Sequence, residues 1–135
     1  MPASATLAAA VALAGLVLSA CGAGDRQREA VAVAERFHAA LSRDDGNAAC
    51  MELSASAASS VERQEKRPCQ DAVLRLELPG RAAAASSRVY LVSASVLLAD
   101  GSATFLSEGP AGWKVSAAGC TPTAPDRPYD CELEG

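Results

Sequence analysis

The hydrophobic pattern of this chain changes its period near residue 87, and this change limits the fold more than any other feature of the sequence. Before that point, apolar residues recur every three or four positions, as in a helix lying on a core. After it they recur every second position, which predicts strands with one buried face. Helices followed by strands in one short chain predict an α+β domain.

The clearest helical pattern covers residues 26–43. Asp25 is expected to be its N-cap, and Asp44, Asp45 and Gly46 to end it. Asp45 is expected to cap a second short helix over residues 47–53. The predicted buried stripe of the first helix consists of Ala30, Val33, Ala34, Phe37 and Leu41.

The region between this stripe and the strands carries weaker signals. Residues 54–60 are small and polar, and they predict a loop or a weak helical turn. Pro68 suits the first turn of a further helix over residues 69–77. The apolar side of that helix is expected to carry Ala72, Val73 and Leu76.

Two turns are expected to organise the strands. Asp100-Gly101 is a strong hairpin signal that ends a long strand from residue 87 to 98. A five-residue loop at 108–112 is expected to follow, which would set Phe105 opposite Val115 and bring Trp113 to the same face. The predicted pairs across the first turn are Leu98–Ala103, Val96–Phe105 and Ala94–Ser107. The predicted apolar face of the long strand carries Tyr90, Val92, Ala94, Val96 and Leu98.

Composition narrows the class of protein further. The chain has 135 residues, which favours one domain. It carries 12 basic against 16 acidic side chains, and only 4% of its residues are aromatic. Nucleic acid is therefore a poor partner, because phosphate contacts need basic side chains and base stacking needs aromatic ones.

The first twenty residues predict a secretory signal. The segment 7–20 is uncharged, and a helix of that length rises only about 21 Å, too short for a bilayer core of about 30 Å. Residues 1–6 lack the Lys or Arg that usually opens such signals. Either the amino terminus alone supplies this charge, or the start codon is misassigned.

The end of this segment resembles the lipobox of bacterial lipoproteins. The matching residues are Leu18, Ser19, Ala20 and Cys21. The resemblance implies that Leu18, Ser19 and Ala20 are recognised by the lipoprotein signal peptidase and that Cys21 receives the lipid. Two or more acyl chains give stable attachment, so the domain is expected on the outer face of the cytoplasmic membrane. The predicted organisation is a signal peptide at 1–20, a lipidated Cys and short tether at 21–24, and one domain at 25–135.

Four further cysteines lie in the exported part. They are Cys50, Cys69, Cys120 and Cys131. Four cysteines allow three pairings, among which locality favours Cys50–Cys69 and Cys120–Cys131. The chain has no Cys-x-x-Cys and a single His, so disulfides are expected rather than a metal site.

The whole pattern is similar to small lipoproteins of high-GC Gram-positive bacteria. Its most specific part is the ending, with Gly119-Cys120 followed by Pro128, Tyr129, Asp130 and Cys131. This resemblance implies a cone-like α+β fold similar to nuclear transport factor two and the SnoaL-like cyclases, with N-terminal helices packed on a curved antiparallel β-meander. That fold hosts enzymes, carriers and non-catalytic modules, so it leaves the function open.

Candidate chemistry is sparse. His38 is the only imidazole, and a catalytic role for it would draw on Asp44 or Asp45. The sequence contains no nucleophile elbow, phosphate loop, dinucleotide fingerprint or zinc-protease motif, so we expect no cofactor and assign no catalytic or metal-ligating residue. The residues that could line a ligand pocket between helix and sheet are Phe37, His38, Tyr90, Phe105 and Trp113.

The sequence thus favours a membrane-anchored, non-catalytic module that binds an unknown protein or a small apolar ligand. The alternatives are a SnoaL-like enzyme that acts on a hydrophobic small molecule through His38, and a structural accessory of the cell envelope.

Overall fold

A computed structural model of the chain describes residues 18–78, 83–126 and 128–135. The predicted signal peptide lies almost entirely outside these residues. The helices are α1 (Leu18–Ser42), α2 (Gly46–Glu52), α3 (Ala55–Glu65), α4 (Cys69–Ala72) and the 3₁₀-helix η1 (Val73–Arg75). The strands are β1 (Ala84–Tyr90), β2 (Ser93–Leu98), β3 (Ala103–Gly109), β4 (Gly112–Pro122) and β5 (Tyr129–Glu134).

Helix α1 supplies the largest apolar stripe of the helical layer. All five predicted stripe residues are buried, and Phe37 is inaccessible to solvent. The helix begins before Asp25, so the prediction of Asp25 as its N-cap is wrong; its carboxylate instead accepts a hydrogen bond from Arg28. Residues 22–24, predicted to be a flexible tether, continue the helix.

The short helices start at side-chain caps. Asp45 caps α2 as predicted, its carboxylate accepting a hydrogen bond of 3.0 Å from the Ala48 amide. Ser54 caps α3 in the same way, and this helix covers much of the segment expected to be a loop or a weak turn. That expectation failed because Ala57 and Val61, four residues apart, pack onto the core and stabilise the helix.

The sheet is an antiparallel meander in the order β1-β2-β3-β4-β5. Helices followed by antiparallel strands confirm the predicted α+β class. The predicted long strand at 87–98 is wrong, because the chain turns back at Leu91 and Val92 and forms β1 and β2 as a hairpin. The sequence lacks Gly, Asn or Asp at this turn, so it carries no turn signal.

Both predicted registers differ from the structure. Across the Asp100-Gly101 turn, Val96 pairs with Thr104 and Ser95 with Phe105, one residue away from the prediction. The Asp100 carboxylate accepts hydrogen bonds from the Ser102 amide and hydroxyl, at 2.9 and 2.7 Å, which lengthens the turn. A one-residue slip reverses every side chain, so Phe105 points away from the helices.

The second turn is shorter than the predicted five-residue loop. Gly109 pairs with Gly112, which leaves two residues in the turn. Irregularities in the β3–β4 ladder then set Phe105 opposite Ala117 and Leu106 opposite Val115. The C-terminal strand β5, which was not predicted, pairs with β4.

The main core lies between the helices and one face of the sheet. Its largest fully buried side chains include Phe37, Leu106, Leu133, Val61 and Val96. In the described part of the chain, no helix combines the length and apolarity needed to cross a bilayer.

Candidate functional site

The structure does not assemble the five predicted pocket residues into one pocket. Phe37 and Trp113 belong to the core between helices and sheet, where Trp113 is 4% exposed. Tyr90 is 77% exposed at the β1–β2 turn. Phe105 lies on the opposite face of the sheet, because alternate residues of a strand point to opposite faces and its neighbours Thr104 and Leu106 are buried toward the helices.

His38 lies in the same core. It is only 4% exposed, and its Nε2 lies 2.8 Å from the hydroxyl oxygen of the fully buried Thr104 on β3. The Phe37 ring stands edge-on to the imidazole at 5.2 Å between centroids. Asp45 is engaged as a helix cap rather than as a partner of this imidazole. This environment suits a histidine that joins helix to sheet.

A second apolar cluster lies on the face of the sheet that points away from the helices, which we call the outer face. Its buried members are Ala103, Ala117 and Cys120, and Phe105 and Cys131 pack against them. Tyr129 of β5 stands edge-on to Phe105, with 5.2 Å between the ring centroids. This ring pair is the most prominent feature of the outer face.

Two grooves run along the sides of the Phe105–Tyr129 pair. One, of about 310 Å³, is lined by Leu97 and Ala103 together with Ser95 and Arg88. The other, of about 400 Å³, lies toward the C-terminal end of the chain and is bounded by Glu134. We refer to the two together as the outer-face groove. It is an open groove that combines an aromatic pair with a few polar groups.

This groove was missed from the sequence for two reasons, the unpredicted strand β5 and the reversed face of Phe105. Tyr129 lies on β5, where apolar residues recur at every second position: Tyr129, Cys131 and Leu133. This period-two pattern could have predicted the strand. Without that strand, and with Phe105 placed on the helix side, the two rings had no reason to meet.

Two disulfides stabilise the domain at separate places. Cys50 is bonded to Cys69, which joins α2 to α4, with Cα atoms 6.1 Å apart. Cys120 is bonded to Cys131, which joins β4 to β5 beneath the outer-face groove, with Cα atoms 4.0 Å apart. These are the two pairings that locality favoured.

Polar contacts tie the N-terminal part of α1 to the sheet. The Arg26 guanidinium donates to the Leu91 carbonyl and to the Glu108 carboxylate, and it lies over the Trp113 ring at 5.4 Å from the centroid. The Gln27 amide donates to the carbonyl and hydroxyl of Ser87 at 2.9 and 2.8 Å. The helix that follows the predicted lipid site is therefore held against the β1–β2 hairpin.

The predicted lipidation residue lies at the N-terminal end of α1, as do the three residues before it. No protein-family model matches the chain, and comparisons with curated proteins and with solved structures found no match.

Proposed function

We propose that this chain is an extracytoplasmic lipoprotein, anchored through acylated Cys21 to the outer face of the cytoplasmic membrane, and that its domain is a non-catalytic binding module. The observation that carries the proposal is the sequence Leu18-Ser19-Ala20-Cys21 directly after an uncharged apolar segment. We place the domain in the cone-like, SnoaL-like group on the sequence resemblance alone.

Cysteine usage supports export. The chain has five cysteines, and four of them form the two disulfides Cys50–Cys69 and Cys120–Cys131. Disulfides persist in oxidising compartments, which agrees with a domain outside the cytoplasm. The fifth cysteine is Cys21, the residue that the lipobox resemblance assigns to acylation.

The outer-face groove is the binding site in this proposal, and a small apolar ligand with an aromatic or flat body is its ligand class. The two parts of the groove, of about 310 and 400 Å³, fall in the usual size range of small-molecule sites, about 300–1,000 Å³. The rings of Phe105 and Tyr129 offer apolar area, and Arg88 and Ser95 offer polar contacts.

The alternative of an enzyme acting through His38 receives less support. A general acid or base must come within hydrogen-bond reach of its substrate, directly or through one water. Here the imidazole is buried between α1 and β3 and engages Thr104. A substrate would have to displace core side chains to reach it.

Processing of the full chain tests the anchor. In a high-GC Gram-positive host, globomycin, which inhibits the lipoprotein signal peptidase, should cause accumulation of the precursor. Cys21→Ser should prevent both acylation and cleavage, so the unacylated precursor should accumulate, whereas Ser19→Ala, which keeps a small residue, should leave both steps unchanged. Unchanged precursor size under globomycin, or a Cys21→Ser protein that is cleaved like the wild type, would contradict the anchor.

The two tyrosines of the chain give a matched test of the groove. Compounds from an apolar library that raise the melting temperature of the wild-type domain should lose that effect in Tyr129→Ser. They should keep it in Tyr90→Ser, because Tyr90 lines neither part of the groove. If the compounds act equally on both variants, the outer-face groove is not the binding site.

A further inference from the structure

Three consecutive large apolar side chains form an exposed tip at the turn between β1 and β2. Tyr90, Leu91 and Val92 are 77%, 69% and 60% exposed, and we call residues 90–92 the apolar tip. Single exposed apolar residues are ordinary on protein surfaces, but a contiguous group of them at a projecting turn marks an interaction site.

The backbone of the apolar tip is held in place. Leu91 has a φ of 52°, in the left-handed region that a two-residue hairpin turn usually fills with Gly, Asn or Asp. The Val92 carbonyl accepts a hydrogen bond of 2.8 Å from the Glu108 amide, and the Leu91 carbonyl accepts from Arg26. The chain thus keeps a leucine exposed at a position where glycine would be less strained.

The apolar tip lies at the same end of the domain as Cys21. Arg26, near the N-terminus of α1, contacts Leu91 of the tip and Glu108 of β3, whereas His38, later in the same helix, contacts Thr104 near the other end of β3. Cys21 lies five residues before Arg26 in α1, about 7.5 Å along the axis at about 1.5 Å per residue. The tip and the backbone of the proposed lipid site therefore lie toward the same end of α1.

We propose that the apolar tip inserts into the lipid interface beside acylated Cys21 and forms a second membrane contact. The inference rests on the proposed function, because the acyl chains bring the tip to the bilayer. Tyr side chains favour the boundary between headgroups and acyl chains, where Leu and Val also lose contact with water. The net charge of −4 disfavours broad docking on anionic headgroups, so the contact is small and apolar.

Such a contact has a consequence for the binding module. Attachment through the acyl chains alone would leave the domain free to tilt, whereas two attachments at one end fix its tilt. The Arg26 contacts with Leu91 and Glu108 hold the two attachments at a constant spacing.

Fluorescence of the intact lipoprotein tests the proposal. The full acylated chain, purified from host membranes, is reconstituted into vesicles of phosphatidylglycerol and phosphatidylcholine as wild type, Tyr90→Trp and Ala99→Trp. Ala99 is also exposed but lies beyond the opposite end of β2. Trp113 is the only native tryptophan and is buried, so the wild-type emission is subtracted as a constant.

We expect a blue shift and a roughly twofold quenching of the Tyr90→Trp indole by a lipid spin label placed near the headgroup, consistent with insertion of about 5–10 Å. The indole of Ala99→Trp should show neither effect. Adding Leu91→Gly and Val92→Ser to Tyr90→Trp should reduce the quenching, because the turn keeps its conformation but loses its apolar side chains.

Mass spectrometry of Cys21 on the same samples separates the two proposals. Acylated Cys21 with an unquenched Tyr90→Trp indole would overturn the tip contact and leave the anchor standing. Absence of acyl chains would overturn both. A blue shift that grows with protein concentration without vesicles would assign the tip to a second copy of the chain, which also overturns the proposal.

Discussion

The contact between α2 and α4 leaves no room for a side chain at Gly46. A Cβ built at this buried residue would lie 1.8 Å from the Gln70 carbonyl oxygen and 2.7 Å from its carbon. The neighbour is backbone, so rotation of a side chain cannot relieve the overlap. Gly46→Ala would have to push the two helices apart by more than an ångström, while the Cys50–Cys69 disulfide links the same helices.

Overpacking of a core typically costs about 1–3 kcal/mol, and a clash with fixed backbone belongs at or above the upper end. We expect Gly46→Ala to lower the free energy of unfolding by about 3 kcal/mol, a large part of a margin of about 5–15 kcal/mol. The melting temperature should fall by roughly 10 °C. Urea denaturation followed by circular dichroism measures the free energy of unfolding, and thermal scans measure the melting temperature. Both use the domain from residue 22 onward.

Gly109→Ala is the matched control. Nothing lies within 4 Å of a Cβ built there, so its free energy of unfolding should stay within about 0.5 kcal/mol of wild type. The drop in the free energy of unfolding caused by Gly46→Ala should be smaller when both Cys50 and Cys69 are replaced by Ala, because α2 and α4 can then separate. A Gly46→Ala domain as stable as the control would refute the packing of α2 on α4.

Three further outcomes are expected. Thr104→Val keeps the volume but removes the hydrogen bond to His38, so the free energy of unfolding should fall by about 1–3 kcal/mol in urea denaturation; an unchanged value would show that the bond contributes nothing. Replacing Cys50 and its partner by Ala should cost about 3 kcal/mol, and a loss below about 1 kcal/mol would contradict this loop-closure argument. Hydrogen bonds from the Ser102 hydroxyl and amide lower the pKa of Asp100, so the ionised form favours the folded state. That contribution is present above the unfolded pKa of about 4 and is lost as pH falls through the lower folded pKa. The stability difference between wild type and Asp100→Asn should therefore shrink in acid, and a difference that grows there would contradict the assignment.

Local signals predicted part of the helical layer. The stripe from Ala30 to Leu41 is wide enough to specify the buried face of α1 without knowledge of its partner. The cap at Asp45 depends only on a carboxylate and an amide three residues later. The position of the Asp100-Gly101 turn was predictable for the same reason, since its chemistry is contained in the turn itself.

The sheet registers and the site were not predicted, because they depend on the exact length of a turn and on contacts from other elements. The extra turn residue created by Ser102 bonding to Asp100 shifts the strand by one position, and a shift of one exchanges the faces. Phe105 consequently moved from the predicted pocket to the outer face. The hairpin at Leu91 has no sequence signal, because a leucine at positive φ is held there by contacts from α1 and β3.

The mass of the N-terminal peptide of the mature protein tests the central claim most directly. We expect a peptide that begins at Cys21 and carries at least two acyl chains through its thiol and glyceryl group. A mature peptide that begins at another residue, or one that begins at Cys21 with an unmodified thiol, would contradict the membrane anchor and the second lipid contact that depends on it.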